Sequence, residues 1–396
     1  MHLFYKVGSR NEQPGITGIS HFLEHMMFSG AAKYGRGEFD RQMEQQGGND
    51  NAYTTADMTV YTDWFPSSEL EHVMDMEADR MVNTRFDPEA IEAERRVVAD
   101  EQRTRFDNNN LSLLYDRLNS TAYVSHPYRW PVVGQAEDFE RWSAEDVRNQ
   151  FRMGYGPNNC VLVIVGDVSS GQALDLSRKY FEPIPSRATP PPVRTREPHQ
   201  DAERRVVIGR PAQLAVALYS FHAPAAADAD YLPVRLLGAI LAEGHSSRLY
   251  RALVGRGQMA NSVSWSYGLS LDPGQLIFAI EARSGAEISR VEQTFAGELD
   301  RIAGAPVSDE ELTRARSQLG MNLYREMKTM AGKADLLGKY EIYLGSFRKL
   351  FSVVDDLERV SAADVQRVAK AYLAARNRTV AIMLPENGEA ARELSE

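Results

Sequence analysis

Five residues, His21-Phe22-Leu23-Glu24-His25, constrain this 396-residue chain more than any others. Two histidines four apart lie one turn from each other on one face of an α-helix, where two imidazoles can share one zinc ion. Glu24, three residues after His21, can reach a water on that ion. Ile19, Phe22, Leu23, Met26, Met27 and Phe28 would bury the helix and give it the dry, rigid support a zinc site requires. The same spacing also arises by accident on a polar helix face, so a third ligand decides. A catalytic zinc takes three protein ligands and leaves one position for water. The candidates lie in Glu92-Ala93-Glu94-Arg95-Arg96-Val97-Val98-Ala99-Asp100-Glu101, where Glu94 and Glu101 are seven apart, two turns along one helix face.

Composition sets the class. Hydrophobic residues make up 43% and charged residues 25%, as in soluble globular proteins. The length suits two domains of ordinary size. No apolar run approaches the roughly 20 residues that a membrane span requires. A net charge of -10 argues against a nucleic-acid surface. The lone cysteine, Cys160, rules out an intrachain disulfide and reads as a core residue of an apolar strand over 159–166.

Periodicity and turn residues place the elements. The motif helix is expected over 16–29 and a second helix over 37–46, stopped by Gly47-Gly48. Paired strands are expected at 49–55 and 58–65. Ser67-Ser68 should cap a helix running to Met81, and Asp87-Pro88 should open the helix that carries Glu94 and Glu101. Helices follow at 111–122, 143–154 and up to Phe181. Prolines 183, 185, 190, 191, 192 and 198 then mark a stiff linker. Beyond it similar grammar resumes, with strands near 204–208, 213–222, 261–270, 276–283 and 378–384 and a helix at 229–242. The expected partition is a zinc-binding domain over 1–182, a linker over 183–200 and a second domain over 201–396. Two halves of similar element order suggest duplication, with the motif only in the first. Residues alone reach two mixed α and β domains.

The H-x-x-E-H pattern is that of the inverzincins, and the chain resembles the M16 metallopeptidase family, which includes pitrilysin, insulin-degrading enzyme and the mitochondrial processing peptidase. Further matches are Gly47-Gly48-Asn49-Asp50-Asn51-Ala52-Tyr53-Thr54-Thr55, His126-Pro127-Tyr128, Tyr155-Gly156-Pro157-Asn158-Asn159 and Gly166-Asp167, so the resemblance covers nearly the whole chain. It implies an α+β fold of two homologous domains, each a mainly antiparallel sheet packed with helices. Glu101 stands 101 − 25 = 76 residues past the second motif histidine, the spacing at which the resemblance places the third ligand. One Zn2+ per chain is thus expected on His21, His25 and Glu101, with Glu24 as general base. Glu94 is expected to orient a ligand histidine, the alternative being an ordinary helix carboxylate paired with Arg95 or Arg96. The strand from Asn51 to Thr55, with Asn51, Ala52 and Tyr53 as the substrate-binding residues, would pair with the substrate backbone, the alternative being a plain core strand. His2, His72, His126, His199, His222 and His245 have no partner at ligand spacing and read as structural or exposed.

The function implied is zinc-dependent endopeptidase activity on peptides or unfolded segments. The alternatives are a non-catalytic subunit of a larger complex and a peptide-binding module. The resemblance also implies that the half opposite the zinc supplies an arginine and a tyrosine seven apart. With Leu253 and Met259 as anchors, those places hold Val254 and Asn261, unless Arg251 or Arg256 is the counterpart. A heterodimer with a homologous chain is therefore expected, with a homodimer as the alternative. Met1 to Ser9 reads as a strand running into a turn, and no signal peptide is visible. The resemblance implies an earlier strand, so either the chain is trimmed or Met1 is not the natural start. The compartment, cytoplasm or periplasm, stays open.

Overall fold

The computed structural model describes residues 1–139 and 141–386. In chain order the strands are β1 (His2–Tyr5), β2 (Asn49–Thr54), β3 (Thr59–Trp64), β4 (Cys160–Val163), β5 (Arg204–Arg210), β6 (Val216–Ala223), β7 (Ala260–Ser266), β8 (Gly274–Ala282) and β9 (Arg378–Pro385). The helices of the first half are α1 (Ile19–Met26), α2 (Glu38–Gln45), α3 (Leu70–Asn83), α4 (Pro88–Asp107), α5 (Asn110–Ala122), α6 (Ala136–Phe139), α7 (Ala144–Gly154) and α8 (Ser170–Phe181). Those of the second are α9 (Tyr231–Ala242), α10 (Ile288–Gly304), α11 (Asp309–Glu326), α12 (Met330–Leu344), α13 (Val353–Arg359) and α14 (Ala362–Tyr372).

Contacts divide the chain into two units, and the division is not linear. The first comprises Met1–Arg105, Ser125–Arg196 and Glu326–Phe347, and the second Phe106–Val124, Glu197–Arg325 and the chain from Arg348. The proline-rich segment carries no helix or strand, and the unit boundary at Arg196 and Glu197 falls within it. The contact units nevertheless differ from uninterrupted domains over 1–182 and 201–396. The segment 106–124 joins the second unit and 326–347 joins the first. Positions 387–396 lie outside the described residues.

In the first unit the strands run in the order β2-β3-β1-β4, each antiparallel to its neighbour. α1 packs on β2 and β3 and against α7. The core between them is aromatic. Tyr5 stacks on Tyr155 at 4.4 Å between ring centroids, Tyr155 shares a 3.0 Å hydroxyl hydrogen bond with Tyr61, and Phe22 lies 4.5 Å from Trp142. α12 covers β1 and β4, and Gly338 meets the Phe4 ring so closely that a Cβ would enter it. β4 is shorter than the expected 159–166 and is an outer strand. Its residues, Cys160 among them, are half-buried, which corrects the reading of Cys160 as core.

The second sheet has the order β5-β9-β6-β8-β7, parallel between β5 and β9 and otherwise antiparallel. β8 alternates buried and half-buried residues with the period of two expected of a one-sided strand. α5 packs on this sheet, its Leu114 and Leu118 buried with Leu218, Ala381 and Met383.

Two helix starts differ from the sequence reading. Ser67 to Glu69 form a 3-10 turn, and α3 begins at Leu70 without a side-chain cap. The motif helix begins at Ile19, three residues late, because Gly15 (φ 96°) and Gly18 (φ 84°) adopt the left-handed conformation. By contrast, Ser143 caps α7 as expected, in a reciprocal capping box with Asp146.

Candidate metal centre

The start of α1 is held by buried carboxyl groups rather than by a conventional cap. Gly18 has no side chain to offer, and Glu12 takes over that role. Its Oε2 accepts from the Gly18 N–H at 2.8 Å and its Oε1 from the Ser20 N–H at 2.8 Å. Burial pushes the Glu12 carboxyl up to about 8, against the lowering effect of those backbone hydrogen bonds. One turn earlier in the chain, Asp138 Oδ2 accepts from the Gly15 and Thr17 N–H groups, each at 3.2 Å, and from the Thr17 hydroxyl at 2.6 Å. Gln150 of α7 donates to Ser20 Oγ at 2.9 Å. Sequence reasoning passed over Glu12 and Asp138. An acidic residue shortly before a glycine that opens an apolar helix was the available signal for Glu12.

So anchored, α1 presents His21 and His25 with ring centroids 4.7 Å apart. α4 brings Glu101 to them. Glu101 Oε2 lies 3.4 Å from His25 Nε2 and 3.7 Å from His21 Nε2. Among the described residues this is the one group of three or more ligand-type side chains whose ligand atoms lie mutually close, within 4.8 Å of one another. Two ligand atoms at about 2.0–2.1 Å from one tetrahedral zinc are about 3.3–3.4 Å apart, close to the two spacings between Glu101 and the histidines.

Glu94, one heptad before Glu101, reaches the far side of the second imidazole. Its Oε1 is 2.9 Å from His25 Nδ1. Arg95 turns away from Glu94: it pairs with Glu92, lies over the Trp142 ring at 4.2 Å and donates to the Trp142 carbonyl at 3.2 Å. The alternative of a Glu94–Arg95 pair is therefore absent from this structure. A carboxylate on Nδ1 holds that proton and leaves the Nε2 lone pair for a metal.

Electrostatics agree with a site that exchanges a proton for a metal. Burial lowers His21 to about 4, with His25 adding to the effect. Burial also pulls His25 down, but its hydrogen bonds with Glu101 and Glu94 outweigh it and push it up to about 9. Glu101 is held below its ordinary value, first by its hydrogen bond with His25. A metal ion bound by these three groups would displace the His25 proton.

Glu24 is 8% exposed and faces the cleft beside the pair. Burial raises its carboxyl, and a short hydrogen bond from the Thr54 hydroxyl to Oε2 opposes that rise. Thr54 ends β2, which among the described residues is an outer strand of its sheet, and Asn51 and Ala52 of that strand border the same cleft; the Ala52 N–H donates to Asn51 Oδ1 at 2.8 Å. Glu24, His25, Glu94, Asn51 and Ala52 line a cavity of about 370 Å³, together with Phe28, Ser29 and Arg36. Tyr53 points elsewhere: its hydroxyl donates to Asp335 of α12 at 2.5 Å. The structure thus brings Asn51 and Ala52 to the cleft and does not bring the Tyr53 side chain there. The sequence reading did not single out Arg36, and it placed Thr54 only within the substrate-pairing strand, not beside Glu24.

The other histidines do not join a metal cluster among the described residues. His72 hydrogen bonds with Gln42 at 2.7 Å, and His222 with the Ala122 carbonyl at 3.0 Å. Val254 lies in a π-helical segment, Tyr250–Arg256, and the Asn261 amide donates to Glu281 at 3.0 Å. Arg251 and Arg256 are exposed.

Residues 1–136 match the model of insulinase (peptidase family M16), and residues 141–319 match that of the peptidase M16 inactive domain. The chain is 29% identical to the zinc protease PqqE of Helicobacter pylori, across 97% of this chain and 87% of that protein. It is 24% identical to the mitochondrial-processing peptidase subunit beta of Blastocladiella emersonii, across 96% and 82% of the two chains. Among solved structures, a protease from Helicobacter pylori superposes with a TM-score of 0.92 at 27% identity, covering 97% of this chain and 93% of that one.

Proposed function

The chain belongs to peptidase family M16, and from that premise we propose that it is a zinc-dependent endopeptidase acting on peptides or unfolded segments. The observation that carries this reading is the convergence of His21, His25 and Glu101, with Glu24 and the outer strand β2 on the same cleft.

His21, His25 and Glu101 would hold one zinc ion, with Glu94 fixing the tautomer of His25. A bound zinc supplies Lewis acidity to the scissile carbonyl and the attacking water. Glu24 takes the proton from that water and returns one to the leaving amine, with Thr54 steering its carboxylate. Asn51 and Ala52 would pair through their main chain with an extended peptide, a mode that accepts many sequences. A cleavage assay on a peptide library, with and without a zinc chelator, tests the reading. Hydrolysis that survives chelation overturns it, as does an absence of cleavage by the zinc-loaded chain in every partner combination.

Partnership is part of the proposal. Family resemblance places a substrate-contacting arginine and tyrosine where this chain has Val254 and Asn261. Valine has no donor, and the Asn261 amide is engaged with Glu281. Losing such a donor typically costs about two to three orders of magnitude in rate. A homologous second chain would supply the pair in a heterodimer. The lone chain is assayed against mixtures with homologous chains. Full activity of the lone chain would favour the homodimer.

A further inference from the structure

We propose that Arg36 is a specificity-determining residue that binds a carboxylate of the peptide substrate; the inference rests on the peptidase reading above. Arg36 sits in the loop between α1 and α2, and that loop is pinned. Gly30 takes a φ of 104°, and a Cβ there would lie 2.5 Å from the Arg36 backbone nitrogen, so the two strands of the loop touch. The Asp79 carboxylate accepts from the Lys33 and Tyr34 N–H groups at 2.8 and 3.2 Å. The Tyr34 hydroxyl donates to Asp75 at 2.6 Å, and the Arg85 N–H to the Gly30 carbonyl at 3.0 Å. The backbone at Arg36 is therefore fixed just beyond the motif helix.

Its side chain is exposed and lines the cleft of Glu24, His25, Asn51, Ala52 and Glu94. Several other arginines of this unit have carboxylate partners: Arg41 pairs with Glu38, Arg80 with Glu77, Arg95 with Glu92 and Arg103 with Asp100. Among the described residues no carboxylate lies within ion-pair distance of Arg36. A guanidinium is always charged and presents a planar fork of donors that matches a carboxylate. Glu24 and Glu94 line the same cleft, so an acidic group of the peptide needs a cation of its own to pair with, apart from the metal proposed for His21, His25 and Glu101. An unpaired fork at the cleft wall supplies that cation. The carboxylate is either a Glu or Asp side chain near the scissile bond or the free C-terminus of a short peptide.

The test measures binding in a chain that cannot turn over. Zinc-loaded Glu24→Gln is titrated by fluorescence anisotropy with a labelled peptide in which a single Glu, or its Gln isostere, is scanned through each position. A second pair compares a free C-terminus with its amide. The readout is the affinity ratio within each pair. We expect a ratio of about tenfold at one Glu position or at the C-terminus, the scale of a charge-assisted hydrogen bond. Arg36→Ala should bring it near one, Arg36→Glu should reverse it, and Arg36→Lys should keep part of it. A ratio of one in the Arg36 chain, the same ratio in Arg36→Ala, or no binding of any peptide overturns the inference. Arg36-dependent binding without cleavage by the chain that retains Glu24, in every partner combination, would instead sink the peptidase reading and leave the carboxylate site standing.

Discussion

Glu94 Oε1 lies 2.9 Å from Nδ1 of His25, while Nε2 of the same ring faces Glu101 Oε2 at 3.4 Å. One imidazole thus links two carboxylates from successive heptads of α4. In the proposed reading Glu101 touches the metal and Glu94 orients the ring.

That asymmetry separates the two glutamates by metal content. Glu101→Gln should lose most bound zinc. Glu94→Gln should weaken zinc affinity by about 10–100-fold, the usual effect of removing a partner behind a ligand. Metal analysis of both variants decides it, and full occupancy in Glu101→Gln would remove Glu101 from the ligand set.

Glu24 is not among the three converging ligand side chains, so Glu24→Gln should keep its zinc. It should lose about 10²–10⁴-fold in peptide hydrolysis, the range general-base catalysis supplies. Cleavage at the unaltered rate would show that another group takes the proton.

In the proposed reading Thr54 acts through Glu24: its hydroxyl donates to Oε2, and its removal is expected to free the carboxylate. Thr54→Val should lower kcat about tenfold with KM little changed, and Thr54→Ser should restore most of the rate. A change confined to KM would mean that Thr54 serves the substrate strand instead.

Glu12 predicts a pH dependence of stability. Its folded value of about 8 stands above the ordinary 4.5. Between those values the native state holds a proton that the unfolded state has lost. The contribution is fully present below pH 4.5 and disappears as pH rises through 8, by up to about 1.4 kcal/mol per pH unit. Denaturant titrations of the parent chain and Glu12→Gln between pH 5 and about 8.5 should show a shallower slope in the variant. Parallel curves would mean that Glu12 titrates alike in both states.

Leu118 tests the exchange of segments between the units. It lies early in the chain yet is fully buried against the second sheet. Leu118→Ala should cost about 2–5 kcal/mol. Hydrogen exchange should then quicken in β6 and β9 before β1 and β3. Equal quickening in both sheets would contradict the contact division.

Much of the site was legible because its spacing is helical. Residues four and seven apart face the same way on any helix, so His21 with His25, and Glu94 with Glu101, follow from the chain alone once helices are granted. The family resemblance then joined the two helices. Cap residues were legible where a serine and an acid three residues later act locally, as at Ser143 and Asp146. They were not legible at Gly18, whose N–H is satisfied by a buried carboxyl group that no cap pattern marks.

What the sequence by itself determined is this local grammar: which segments are helix or strand, which helix faces are apolar, and which acids and histidines share a face. Tertiary structure alone decided which surfaces those faces meet. An amphipathic helix carries no label for its sheet, and so α5 and α12 could not be assigned from periodicity. α5 covers β5, β6 and β9 of the second sheet, while α12 closes on β1 and β4 of the first through the contact of Gly338 with Phe4. The same limit hid Arg36 and the place of Thr54 beside Glu24. Their parts depend on distances across the cleft, between residues whose separation in sequence says nothing of their separation in space.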